Sequence, residues 1–197
     1  MSIAALDADI KAVKKGLRDA GVPNRLISAV STRALKSGRR QTGPFRSNRQ
    51  SRWTLKKLDP QYGTESNCKK ILLRLYATLL EYEGAPTVDP AVQQILEKRL
   101  GRKLVPNSLR DELTLEKLSY VSVEAEALSP KAGISAVHIG HRDPTLTPRH
   151  VPDNVEWRTE RSNLIQGNLT LREARTRLVE LVARYFELGE VTITPDA

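Results

Sequence analysis

Hydrophobic residues recur at helical spacing near the N-terminus. Apolar positions three or four residues apart form one face of an α-helix, and here they predict a helix over 3–20. Gly21 and Pro23 end this helix, because glycine and proline interrupt helical structure. A shorter helix is predicted at about 24–36. The apolar positions of the first helix are Ile3, Leu6, Ile10, Val13 and Leu17.

The same spacing predicts two helices in the middle of the chain and leaves one region ambiguous. A wide apolar stripe predicts a helix over 68–83, and another is predicted from Asp89 to about Leu100. Residues 107–127 fit either a short helix or a strand with alternation at 118–123. The helix 68–83 carries its stripe on Ile71, Leu72, Leu75, Leu79 and Leu80.

The C-terminal helix has the clearest boundaries. Thr170 and Glu173 have the spacing of a capping box, and Gly189 is suited to the position just after a helix. Between this helix and the earlier ones, 128–169 is rich in proline, glycine and asparagine, which predicts irregular structure. We expect the helix to bury one face, formed by Ala174, Leu178, Leu181, Val182, Tyr185 and Phe186.

Positive charge is concentrated in the first third of the chain. The 197 residues carry a formal net charge of +9, but 1–60 hold 14 Lys and Arg against 4 Asp and Glu. The remaining residues, 61–197, have a net charge of −1. The segment 33–58 contains nine basic residues and no acidic residue, interrupted by glycine and proline. This composition predicts an extended basic arm or loop.

The basic arm is suited to contact with nucleic acid. Each phosphate that a cation neutralises releases counterions, and arginine also recognises phosphates and guanine edges through its planar group. A solvated basic tail and an anionic membrane surface are the alternatives, although no amphipathic anchor accompanies the arm. Trp53 fits a base-stacking residue and a core residue about equally. The predicted DNA contacts are Arg39, Arg40, Arg46, Arg49, Arg52, Lys56 and Lys57.

Length and composition set limits on the class of protein. A chain of 197 residues with 39% apolar residues fits one large domain or two small ones. No run of 18 apolar residues predicts a membrane span, and the start of the chain does not resemble a secretory signal. The single cysteine, Cys68, rules out an intramolecular disulfide and a cysteine-based structural zinc site. We therefore expect an intracellular, cytoplasmic protein.

All three histidines, His138, His141 and His150, lie within 13 residues of the irregular segment. His141 is followed by Pro144 and, 13 residues on, by Asn154. Asn154 is followed nine residues later by Asn163, and Gly167 comes four residues after that. These spacings resemble the HNH nuclease family, whose core is the ββα-metal finger, in its H-N-N variant. The resemblance covers about 40 residues and implies a finger near the C-terminus of a mostly helical α+β protein.

The sequence departs from the family pattern at two places. The residue before the catalytic histidine is usually a metal ligand, and here it is Gly140. The paired cysteines that often flank the helix are absent, which removes only a structural zinc. Because side chains alternate along a strand, His138 faces the same way as Gly140 and would replace the missing ligand. Asp143 is the competing carboxylate ligand.

The resemblance assigns chemical roles to these residues. His141 would be the general base, since a neutral imidazole accepts a proton near pH 7. Asn154 would fix the loop and aim His141, and His138 and Asn163 would bind the metal. The metal would be Mg²⁺, or Mn²⁺, Co²⁺ or Ni²⁺, which also suit histidine and amide ligands. Further phosphate contacts are predicted for Arg158 and Arg161.

Several of these residues also have structural interpretations. His150 is more readily explained as a loop residue without a catalytic role, and Trp157 as a core residue. His138 fits an ordinary strand histidine as well as it fits a ligand. Asn154 after Pro152 fits a turn, although its spacing to Asn163 favours the motif.

The sequence thus predicts a metal-dependent endonuclease that cuts double-stranded DNA, of the type II restriction kind. The alternatives are a DNA-binding or regulatory protein that keeps the finger without cleavage, a phage- or homing-type nicking enzyme, and an RNase or toxin. A homodimer is expected, through the stripe on 68–83 or on 170–186, as is a methyltransferase counterpart in the cell. The predicted division is DNA binding by 1–60, core or dimerisation by 61–127, the nuclease motif at 128–169 and a C-terminal helix at 170–197.

Overall fold

The computed structural model describes residues 2–38, 41–42, 45–46, 49–130, 135 and 137–192, with backbone alone for the two short segments at 41–46. In that part of the chain, seven α-helices and two small antiparallel sheets form an α+β protein that is about half helical. The helices are α1 (Ile3–Asp19), α2 (Asn24–Leu35), α3 (Glu65–Leu79), α4 (Pro90–Leu100), α5 (Tyr120–Leu128), α6 (Glu160–Gln166) and α7 (Leu171–Glu187). The strands are β1 (Gln41–Thr42), β2 (Phe45–Arg46), β3 (Val137–His141) and β4 (Val155–Thr159).

Helix α3 is the centre of the core. Thr64 caps it by accepting a hydrogen bond from the Asn67 backbone N–H, and its stripe residues are almost fully buried, as the apolar pattern predicts. α1, α2 and α4 pack against α3 on different sides, and β4 packs against it as well. This arrangement explains the width of the stripe, because a helix that is covered by several neighbours must be apolar on most of its surface.

Trp157 joins the small sheet to this helical core. Its side chain is almost fully buried, its indole N–H donates to the carbonyl oxygen of Leu75 over 3.1 Å, and its ring meets Tyr82 edge to face. The prediction that Trp157 is a core residue is confirmed. One apolar core includes residues of α1 to α5, β3 and β4. The separate roles predicted for the four segments stay predictions.

The basic segment 33–58 is more ordered than an extended arm in its described residues. It begins in α2, and Lys36 then pairs antiparallel with Ser51. The backbone N–H of Ser37 donates to the carbonyl oxygen of Gln50 over 2.8 Å. Strands β1 and β2 also pair antiparallel. The arginine-rich composition did not indicate this pairing, because strands this short have no hydrophobic alternation to recognise.

Two predictions about helices need correction. The strand alternative at 118–123 is wrong, because α5 begins at Tyr120 and Ser119 caps it. The helix occupies only the end of 107–127, since 107–119 form no helix and Leu118 and Ser119 pair with Glu83. The expected capping box of α7 is present, with Thr170 and Glu173 bonded reciprocally. The apolar face that α7 was expected to bury is exposed instead, since only Ala174 is buried and Val182 and Tyr185 are each 52% exposed. The reason is that α7 touches the rest of the described chain only near its start.

No helix in the described residues is long and apolar enough to cross a membrane.

Candidate active site

Strands β3 and β4 and helix α6 form a strand–strand–helix unit around the histidine segment. The strands are antiparallel, with His138 opposite Arg158 and His141 opposite Val155. Since side chains alternate between the two faces of a sheet, His138 and Gly140 share a face with Arg158. His141 lies on the other face. Helix α6 follows β4 directly and packs against both strands.

Asn154 holds the loop that connects the two strands. Its amide N–H₂ donates to the carbonyl oxygens of Asp143 and Arg149, each over 2.8 Å, and its amide oxygen accepts from the Asp143 N–H over 2.7 Å. Its own carbonyl oxygen accepts from the Arg142 N–H. A nearly buried side chain therefore uses its whole amide on the loop that leaves His141. This is the geometry that the predicted positioning role requires, and the role itself stays a prediction.

His141, the last residue of β3, is held as a neutral imidazole. Gln166 of α6 donates to its carbonyl oxygen over 2.8 Å, and its Nε2 is buried without a hydrogen-bond partner in the described residues. Burial, together with the positive charges of Arg149 and Arg52, lowers the pKa of His141 to about 4. The ring is therefore unprotonated at neutral pH, with one lone pair free to accept a proton.

His150 lies beside His141 and is fully buried. The two ring centroids are 6.0 Å apart, with planes inclined by 63°. The His150 Nε2 is 2.8 Å from the carbonyl oxygen of Ala34, at the end of α2, and its Nδ1 has no partner in the described residues. Burial lowers the pKa of His150 to about 3, and the charge of Arg52 contributes to this shift. His150 therefore connects the loop to the helical core, as a structural histidine would.

The space beside Gly140 is filled by an arginine. A Cβ on Gly140 would lie 2.5 Å from Cγ of Arg158 and 3.3 Å from the amide oxygen of Asn163. Arg158 is fully buried and donates through Nη2 to Glu112 over 3.2 Å, whereas its Nε and Nη1 have no partner in the described residues. The position that carries a metal ligand in the HNH pattern is therefore occupied here by a guanidinium, adjacent to Asn163.

The described side chains do not fit a divalent metal at this face. His138 has its Nε2 4.0 Å from Glu160, but no group of three His, Cys, Asp or Glu residues in the described chain is arranged to hold a metal. The Asp143 carboxylate already accepts bonds from the N–H and hydroxyl of Thr145, which hold its pKa below the usual range. A cation bound to His138 and Asn163 would also lie close to the guanidinium of Arg158, and like charges in the interior repel strongly.

The predicted DNA-contacting residues fall into different environments. Arg52 is buried and donates to the carbonyl oxygens of Gln61 and Arg33, so it supports the fold rather than lying at the surface. Arg158 is also internal, which differs from the surface position that a phosphate contact needs. The residues with exposed side chains are Arg49, Lys56, Lys57 and Arg161. Arg39 and Arg40 lie outside the described residues, as does the side chain of Arg46.

Sequence reasoning missed a partly buried charged network beneath the strands. Arg142 forms ion pairs with Glu112 and Glu156, and Glu156 also accepts from Arg74 of α3. Asp111 is fully buried and accepts from the Thr159 N–H over 2.7 Å, at the start of α6. These partners are separated by up to 82 residues along the chain. No local motif indicates them, because the network exists only when the strands dock against α3.

Comparison with known proteins gives a likeness in structure. No protein-family model matches the chain, and no curated protein matches it. The fold is similar to that in the crystal structure of a type II restriction endonuclease, with a TM-score of 0.54 and 23% sequence identity. The likeness covers 65% of this chain and 55% of the other, so the chain matches about half the length of that protein. A likeness at this identity defines the fold and leaves the activity to be argued from the site.

Proposed function

We propose that this chain is an endonuclease that hydrolyses phosphodiester bonds of double-stranded DNA, with His141 as the general base. The observation that carries the proposal is the state of His141, a neutral imidazole at the end of β3 that has one lone pair able to take a proton. Asn154 holds the adjoining loop through its whole side-chain amide. The likeness to a restriction endonuclease supports the same class of reaction.

The reaction follows from the chemistry of His141. Its imidazole takes a proton from a water molecule, the water oxygen bonds to phosphorus, and the bond from phosphorus to the leaving oxygen breaks. The leaving oxygen takes its proton from solvent. The positive charge of Arg149, which contributes to the lowered pKa of His141, would attract the phosphodiester. The bound anion would in turn raise this pKa, because a negative charge favours the imidazolium.

Several finer parts of the proposal depend on the family resemblance. The HNH assignment and the divalent metal with His138 and Asn163 as ligands stay predictions, and the metal would require Arg158 to leave the space beside Gly140. Sequence-specific cutting of the type II kind, and a methyltransferase that protects host DNA, are proposed on the same basis. The exposed apolar face of α7 supports the proposed homodimer, in which each copy cuts one strand.

Cleavage of supercoiled plasmid by the full chain tests the proposal. Wild type is compared with His141→Ala and with Lys103→Ala, an exposed residue outside the predicted DNA-binding segment that serves as the matched control. Parallel reactions contain Mg²⁺, Mn²⁺ or a chelator, and RNA replaces DNA in one series. We expect nicked or linear DNA from wild type and Lys103→Ala and none from His141→Ala. Cutting that survives His141→Ala would remove the mechanism, and preferential cutting of RNA would indicate an RNase.

A second candidate function is a DNA-binding protein that keeps the strand–strand–helix unit without cleavage. The observation that favours it is the guanidinium of Arg158 at the place of a metal ligand. This protein would retard DNA in a gel shift yet leave every tested DNA intact in all metal conditions. The same plasmid assay therefore separates the two functions.

A further inference from the structure

Two buried ring nitrogens without partners in the described residues lie at one place in the fold. They are Nε2 of His141 and Nδ1 of His150, on rings whose centroids are 6.0 Å apart. A neutral imidazole has one N–H donor and one lone-pair acceptor, and a buried polar atom without a partner is costly. A pair of such atoms on neighbouring rings suggests that one donates toward the other.

The bond to Ala34 determines which nitrogen of His150 can accept. A carbonyl oxygen only accepts hydrogen bonds, so Nε2 of His150 carries the hydrogen that it donates to Ala34 over 2.8 Å. The ring stays neutral because burial lowers the pKa of His150 to about 3. Its Nδ1 is therefore a lone-pair acceptor, fixed by a backbone contact to the end of α2.

The ring of His150 is also held in place sterically. A Cβ on Gly63 would lie 3.1 Å from Cδ2 of His150 and 3.1 Å from the Cys68 sulfur, so the glycine lets the chain approach the ring closely. The ring is fully buried, and its loop is tied down by Asn154 through the carbonyl oxygen of Arg149. An acceptor held from several sides can orient a neighbouring side chain.

We propose that His150 is the positioning residue for His141. Its Nδ1 accepts a hydrogen bond from the Nε2–H of His141 after a small approach of the two rings, which are not bonded to each other at the separation that the structure shows. This bond selects the tautomer of His141 in which Nδ1 carries the lone pair. That nitrogen then takes the proton from the attacking water. The inference rests on the proposed nuclease function, and it gives His150 a role beyond a structural loop residue.

Two substitutions separate this role from a structural one. The amide of glutamine reaches the place of Nε2, so His150→Gln keeps a donor for Ala34 and loses the acceptor that faces His141. The amide of asparagine lies at the place of Nδ1, so His150→Asn keeps the acceptor and loses the Ala34 bond. A structural role predicts that Gln replaces His better than Asn, and a positioning role predicts the opposite order for kcat.

The tautomer is measured by nitrogen NMR of the histidine rings in the full chain. The protein has three histidines, so single substitutions assign every ring signal. We expect the hydrogen on Nε2 of His141 in wild type and in His150→Asn, and a mixture of tautomers in His150→Gln. In plasmid cleavage we expect kcat of His150→Gln to fall about 10- to 100-fold with KM unchanged, a typical effect of losing an orienting partner.

The outcomes are decisive whether or not the chain cuts DNA. A hydrogen on Nδ1 of His141 in wild type overturns the inference, as does a His141 tautomer that is unchanged in His150→Gln. Because the wild-type measurement needs no variant, poor folding of either variant leaves the test intact. Failure of the proposed function is seen separately, as absence of cleavage by wild type, and the NMR result stands beside it.

Discussion

The glycine before His141 can be tested by adding a single methyl group. In Gly140→Ala the new Cβ would lie 2.5 Å from Cγ of Arg158, well inside the separation of about 3.5–4.0 Å that two carbon atoms prefer. Cγ is near the root of the arginine side chain, and the buried guanidinium is paired with Glu112, so Arg158 has little freedom to move. Overpacking of this kind costs about 1–3 kcal/mol of folding free energy.

A double-mutant cycle assigns that cost to Arg158. The free energy of unfolding is measured by urea denaturation for Gly140→Ala alone, with Arg158→Ala and with Arg158→Met. Alanine removes Cγ, so the cost of Gly140→Ala should fall below about 1 kcal/mol in that background. Methionine keeps Cγ without the charge, so the cost should persist there. The two backgrounds thus separate steric contact from electrostatics.

One result would refute the reasoning about this position. If Gly140→Ala is neutral in the wild-type background, Arg158 does not fill the space beside Gly140. That space would then be open to a metal ion between His138 and Asn163. If the cost disappears equally with alanine and methionine, the contact is not through Cγ.

Four further predictions concern the loop, pH, salt and assembly. Asn154→Ala should lower the free energy of unfolding by about 1–3 kcal/mol in urea, because two loop carbonyls are deprived of their donor, and an unchanged midpoint would contradict this. Because the pKa values of His141 and His150 are lowered from 6.5 to about 4 and about 3, below pH 6.5 the unfolded chain binds protons that the folded chain does not. Stability should therefore be at its full value above pH 6.5 and fall on acidification by about 1.4 kcal/mol per pH unit for each histidine, with a smaller decrease in His150→Gln. The salt dependence of DNA binding should weaken when four arginines of the basic segment are neutralised, namely Arg39, Arg40, Arg46 and Arg49. The slope of log affinity against log salt should fall by about 0.9 for each phosphate that is no longer neutralised. An unchanged slope would mean that DNA does not contact this segment. Light scattering should give twice the chain mass for wild type and for the control variant Thr176→Glu. The double variant Val182→Glu, Tyr185→Glu should have the mass of a single chain. A monomeric wild type would exclude the dimer.

Much of the helical structure could be predicted because local pattern determines it. The ends of α4 follow from Asp89 at its start and Gly101, in the left-handed conformation, after it. The capping box of α7 is likewise a short-range signal. The exposure of α7 could not be predicted, because an amphipathic helix is the same in sequence whether its own chain or another molecule covers it.

In the candidate site, too, local sequence motifs could be recognised, whereas contacts between distant residues could not. The resemblance to the HNH family predicted that Asn154 fixes the loop next to His141 and that Asn163 binds the metal. The structure places the Asn154 side chain on that loop and Asn163 beside Gly140. The position of the Arg158 side chain depends on its contact with Glu112, 46 residues away along the chain. The acceptor on His150 depends on its contact with Ala34, 116 residues away. Such partners are set by the docking of the strand–strand–helix unit onto the helical core, and no local pattern encodes them.

Chemical rescue tests the proposed role of His141 most directly. The cleavage rate of His141→Ala on supercoiled plasmid is measured with and without added imidazole, beside wild type under the same conditions. We expect the variant to be inactive and imidazole to restore part of its cleavage rate, increasing with imidazole concentration, while wild type does not respond. A His141→Ala variant that cuts as fast as wild type without imidazole would contradict the role of His141 as general base.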